Sequence, residues 1–143
     1  MPHNSMVEWC LKKAEKEISS GNKHRGLIRT KPDLELIEAH MRKAKHNLKA
    51  ITDFKKIGYS DWSASAAFYS IYHCFLAIIA RFGYESRNQE CTIALINYLK
   101  EKGEIEIDDK FINALEIYDE QERHESNIIE KRVDEDPFKQ PII

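Results

Sequence analysis

Hydrophobic positions recur along this chain at three- and four-residue spacing, the mark of helices that bury one face. Met6, Val7, Cys10, Leu11, Ala14 and Ile18 form one such stripe, between a cap at Asn4 or Ser5 and a stop at Gly21. A second stripe, Leu34, Ile37, Met41, Ala44, Leu48 and Ile51, follows Pro32 and a cap at Asp33 and ends at Gly58. The third segment begins at a cap on Ser60 or Asp61 and runs to Gly83. It is apolar on most sides, which predicts the central, most buried helix. A fourth helix carries Ile93, Leu95, Ile96 and Leu99 between a cap at Ser86 and a stop at Gly103. The stretch "EIEIDD" alternates but has no second strand to pair with, so it reads as a loop ending in a cap near Asp108. A fifth helix runs from about Asp109 to Ile129. The pattern predicts an all-α fold, a four-to-five-helix bundle of the up-and-down type.

Breakers and charge divide the chain further. Residues 1–32 hold the first helix and the loop "GNKHRGLIRTKPD", the most cationic segment. Residues 33–129 form the bundle, and residues 130–143, with two prolines, read as a flexible tail. A chain of 143 residues is one domain by size and needs no disulfide or metal to fold. Its net charge of −2 argues against wholesale coating of nucleic acid and leaves room for a local basic patch. The three cysteines, Cys10, Cys74 and Cys91, are odd in number and lack CxxC spacing, which reads as packed thiols in a reduced, cytoplasmic chain. No signal peptide opens the sequence, and the longest uninterrupted apolar run is too short for a membrane span.

Candidate chemistry starts in "AAFYSIYHCFLAIIAR". Asp61, Ser65, Tyr69 and His73 share one edge of the third helix. Two readings are open: core residues whose polar tips bond across the bundle or a dimer seam, or a site in which His73 carries a proton. Arg87, Asn88, Gln89 and Glu90 stand at a helix start, where free N–H groups beside an arginine suit a phosphate. The alternative is an ordinary cap with a solvated arginine. Arg123, His124 and Glu125 are adjacent on the fifth helix, so they point about 100° apart and read as a solvated face. Arg42 and His46 read as a surface pair. Arg25 and Arg29 of the basic loop suit a phosphate backbone if the loop lies over a cleft. No HExxH, zinc-spaced Cys/His set, phosphate loop or GxSxG occurs, so no metal and no cofactor is expected.

Four segments together resemble the HEPN family (higher eukaryotes and prokaryotes nucleotide-binding), in particular its small stand-alone prokaryotic and archaeal members. "KAKHNLKAITDFKKIGYSDWSASAAFYS" is similar to their first long helix, glycine turn and Trp-bearing entry to the next. "AFYSIYH" resembles their A-[YF]-Y-x-x-[YF]-H signature, "RFGYESRNQECTIALI" their G-[YF] turn, and "RHESNI" a late R-x-x-[AS]-[DN]-[YI] segment. The resemblance covers roughly Asp33 to Ile129. It implies a four-helix bundle, commonly a homodimer, and in many members a metal-independent ribonuclease, often a toxin paired with a nucleotidyltransferase antitoxin.

The family's catalytic motif is R-x(4–6)-H, and this chain departs from it. Beyond Arg87 the histidine positions hold Thr92, Ile93 and Ala94, and Gln89 stands where small relatives carry a histidine. Arg42 is too close to His46, and Arg123 is followed at once by His124. The sequence therefore points to a nucleotide- or RNA-associated, toxin–antitoxin-type module without the standard ribonuclease pair. One alternative is an active ribonuclease with an altered set, using Arg87, His73 and Tyr69, with Asn88, Glu90, Arg123, Arg25 and Arg29 as binding residues. Another is a structural dimer whose tyrosine strip is a seam.

Overall fold

The computed structural model describes residues 3–135, with side chains up to residue 128. Its helices are α1 (His3–Ser19), α2 (Leu34–Lys56), α3 (Ser60–Arg81), α4 (Gln89–Glu101) and α5 (Asp109–Glu135). Two short strands, β1 (Leu27–Arg29) and β2 (Tyr84–Ser86), lie between them. The fold is all-α, as the periodicity predicts. Most of the tail from residue 130 lies outside the described residues; as far as Glu135 it continues α5.

Local chemistry sets the helix ends. The Asp33 side chain accepts from the N–H groups of Glu35 and Leu36 and starts α2. Asp108 accepts from Lys110 N at the head of α5, and "EIEIDD" is irregular up to Asp108, its last residue opening α5. The cap of α4 is Asn88, two residues later than expected, and its carboxamide oxygen accepts from Cys91 N at 3.1 Å. Ser86 is instead drawn into β2. Residue Tyr59 precedes α3 with no side-chain cap bond.

α2 and α3 form the most extensive pair. Ser63 Oγ donates to Ile51 O, Ser70 Oγ donates to Ala44 O, and His73 meets His40. The contacts run in opposite chain order, so the pair is antiparallel. Ser63, Ala66 and Ser70 are small, which lets the backbones come close enough for hydroxyls to reach carbonyls. The opposite side of α3 presents Phe68, Phe75 and Ile79 to the main core, with Leu95 and Ile96 of α4 and Ile112 and Leu115 of α5. Taken over its whole length, α3 is apolar enough to cross a membrane, which corrects the expectation from its longest uninterrupted run. Here that apolarity serves the bundle: nine α3 residues are buried.

Two features overturn sequence expectations. The basic loop contains β1, which pairs antiparallel with β2: Leu27 opposite Ser86, Ile28 opposite Glu85, Arg29 opposite Tyr84. Each strand is too short to carry a periodic signal, and their partnership is non-local. A Cβ on Gly83, at φ +84°, would come within 2.7 Å of Thr30 O, so the turn between α3 and β2 requires glycine. Second, Cys10 and Cys91 are not packed thiols; they form a disulfide joining α1 to α4 across 81 residues of sequence. Both are fully buried where α1 lies on α4, which brings the two sulfurs together. Cys74 is free.

Candidate functional site

The groove beside Arg87 is built where three elements converge. Leu36 and His40 come from α2, Leu76, Ile79 and Ala80 from α3, and Tyr84–Arg87 from β2 and the residue after it. They enclose a cavity of about 350 Å³. Sheet pairing fixes the far wall, since Arg87 N donates to Gly26 O at 3.0 Å and extends the β1–β2 ladder.

Arg87 is half exposed. Its Nε donates to Glu85 Oε1 at 3.0 Å, and no other side-chain partner occurs among the described residues. The terminal guanidinium nitrogens are therefore free for a bidentate anion. Behind Glu85 sits His24, buried at 5% exposure. Its Nδ1 accepts from Gly26 N at 3.3 Å, which leaves the proton on Nε2. That Nε2 lacks a hydrogen-bond partner among the described residues and lies 3.6 Å from Glu85 Oε1. Glu85 is thus held between a histidine and an arginine, and the carboxylate orients Arg87.

On the α2 side, His40 lines the groove and its Nδ1 lies 3.1 Å from His73 Nδ1. A contact between two ring nitrogens requires a proton on one of them only. If both rings are neutral, one presents a bare Nε2 and the other an Nε2–H, a base and an acid in one pair. Burial, first, holds both imidazoles below their ordinary value; the cation of Lys43 acts the same way on each, and His40 adds to the effect on His73.

The structure distributes the sequence candidates unevenly. Arg87 lines the groove, but His73 and Tyr69 do not; His73 reaches it only through His40. Tyr69 is 44% exposed and packs edge-on against Phe68. Ser65 bonds Tyr118 of α5 at 2.7 Å, so the polar edge of α3 splits between α2 and α5 and makes no continuous strip. Asn88 is occupied by its cap and by Arg25, whose carbonyl accepts from Asn88 Nδ2 at 3.3 Å. The Arg29 guanidinium lies over the Tyr84 ring, 5.9 Å from its centroid. Glu90 and Arg123 meet in a separate groove between α4 and α5, where Arg123 bonds Glu90 at 2.6 Å and Asp119 at 2.9 Å.

Three residues of the Arg87 site, His40, Glu85 and His24, escape the sequence reading. Only His40 leaves a signal: it falls three residues after Ile37 and four before Ala44, on the buried side of α2. Among the described residues no cluster of His, Cys, Asp or Glu is arranged to hold a metal.

An antiparallel helix pair, a third helix packed on it, and an arginine just before that helix sharing a groove with His40 define a helical bundle with an anion-suited groove. Residues 37–136 match the family model for the HEPN domain, and the chain belongs to that family. No curated protein and no solved structure matches it. α1 and β1 precede the matched residues.

Proposed function

We propose that this chain is a nucleotide- or RNA-associated HEPN module that binds a phosphate group at Arg87 and lacks the family's standard ribonuclease pair. The observation that carries it is the Arg87 guanidinium, oriented through Nε by Glu85 with its terminal nitrogens turned to no protein group among the described residues. A homodimer and a nucleotidyltransferase partner, as in a toxin–antitoxin pair, belong to the same reading. The test is calorimetric titration of nucleoside 5′-phosphates into wild type and Arg87→Ala. A charge-assisted contact contributes about 1.5–3 kcal/mol, so the variant should lose roughly tenfold to a hundredfold in affinity with unchanged helicity. Equal binding by both proteins would refute the site.

The His40–His73 contact favours a second reading, a metal-independent ribonuclease with an altered set. Arg87 would stabilise the phosphate charge and the histidine pair would move the protons. Incubation of a mixed RNA panel in EDTA separates the readings. Cleavage by wild type that is lost in His40→Ala and in His73→Ala, with folding intact, establishes the enzyme; no cleavage by wild type leaves the binding module.

A further inference from the structure

Besides the basic loop, a second concentration of positive charge lies on the outer face of α2. Residues 42–56 hold Arg42, Lys43, Lys45, Lys49, Lys55 and Lys56 against one carboxylate, Asp53, in a protein whose net charge is −2. All six cations are exposed, and none has a carboxylate within ion-pair distance among the described residues. Arg42, Lys49 and Lys56 recur every seven residues and so stand in one column, with Lys45 beside it. A hollow lined by Ala39, Arg42, Lys43 and His46 opens next to the column.

Both ends of the stripe lead somewhere. At the N-terminal end, Arg42 and Lys43 follow within one turn of His40, which lines the Arg87 groove, so the cationic face adjoins it. At the C-terminal end, the turn into α3 exposes Tyr59 at 53% and Trp62 at 56%, with Phe54 packed beside Trp62 at 6.2 Å between ring centroids. From His40 to Lys56 the helix rises roughly 24 Å. A line of unpaired cations ending in exposed aromatic rings matches a flexible polyanion that carries stackable bases.

We propose that the outer face of α2 is a track for single-stranded RNA. Its phosphates lie along Arg42, Lys45, Lys49 and Lys56, and a base stacks on Trp62 or Tyr59. The proposal rests on the reading of the Arg87 groove as a phosphate site and extends it from one nucleotide to a strand. Cations without protein partners keep their full charge for the backbone, and each phosphate neutralised releases counterions, so binding weakens as salt is added.

The test is fluorescence anisotropy with a labelled oligoribonucleotide of about twelve nucleotides, a length within the range of single-strand sites. It is run across a salt series beside calorimetry with a nucleoside 5′-diphosphate. Wild type is compared with Arg42→Gln/Lys49→Gln/Lys56→Gln and with an equal charge change on α1, Lys12→Gln/Lys16→Gln/Lys23→Gln, which includes one residue of the following loop. The α2 variant should bind the oligonucleotide about tenfold or more weakly, with the log–log salt slope shallower by roughly two. The diphosphate should bind it as it binds wild type, and the α1 set should behave as wild type throughout. Trp62→Ala should weaken the oligonucleotide several-fold and leave the salt slope unchanged. Equal losses in the two triple variants, salt-independent binding, or α2-dependent capture by phosphatidylserine vesicles without oligonucleotide binding would each overturn the track. Wild type that binds the diphosphate and gains nothing from the longer strand overturns the track alone. Oligonucleotide binding that needs α2 but ignores Arg87→Ala overturns the groove alone. Wild type that binds neither ligand overturns both.

Discussion

Two arginines flank α4, and their surroundings differ in a way that separates a site from a strut. Arg87, just before the helix, is held by one carboxylate through Nε and faces a cavity shared with His40. Arg123, reaching back from α5, is clasped by Glu90 and Asp119, in a groove that also holds Glu116 and Glu120. One carboxylate orients a guanidinium and leaves a fork open. Two carboxylates on one terminal nitrogen of Arg123, in a hollow with more of the same sign, neutralise the guanidinium and repel a phosphate. An arginine therefore reads as anion-binding by how few carboxylates surround it, not by its presence at a helix start.

Helix α4 lines the Arg123 groove and follows two residues after Arg87, so releasing it tests how far each groove depends on it. Cys91 in its first turn is tied to Cys10 across 81 residues, a loop long enough for the cross-link to be worth about 4 kcal/mol by chain entropy. Reduction, or the Cys10→Ala/Cys91→Ala variant, should lower the unfolding free energy by that order, read as a fall in the denaturant midpoint, and loosen the Arg123 groove more than the Arg87 groove. Melts with and without reductant check it.

The second effect in size is the exchange of roles between the arginines. Arg87→Ala should lose phosphate affinity as described, with little change in stability. Arg123→Ala should retain affinity and lose less than about 1 kcal/mol of stability, because its guanidinium and Glu90 are exposed and only Asp119 is half-buried. Affinity lost at Arg123 and kept at Arg87 would invert the comparison.

The smallest effect is the pH response of the His40–His73 pair. Folding depresses both imidazoles from the ordinary value of 6.5, so near and just below that pH the unfolded chain binds more protons than the folded one. The pair's contribution is therefore complete above about pH 6.5 and is lost as pH falls toward the depressed folded values. Wild type should lose melting temperature between pH 7 and 5 more steeply than His40→Gln/His73→Gln. Parallel pH profiles would show that the contact does not hold the two rings neutral.

The Arg87 side was partly legible in the sequence because a helix start announces itself locally. Arg87 could be picked out beside the fourth helix, though the cap proved to be Asn88. Its companions could not. Glu85 and His24 face each other only because β1 pairs with β2 across more than fifty residues, and three-residue strands leave no periodic trace. His40 sits among Ile37 and Ala44 on a stripe whose apolar members mask it. Tyr69 and His73 share an edge of α3 by spacing, yet neighbouring helices take up different parts of that edge. The expected α2 stripe shows the same limit: Leu34, Met41 and Leu48 fit the period and remain exposed.

By itself the sequence determined the five helices, the cap at Asp33, the glycines that end helices and the central place of α3. These follow from interactions within a few residues, namely side-chain periodicity, cap hydrogen bonds and left-handed turns. Tertiary structure alone decided the Cys10–Cys91 link, the β1–β2 pair, the His40–His73 contact and the number of carboxylates each arginine meets. Such partners lie far apart along the chain, and they meet only when packing against α3 brings the elements carrying them together.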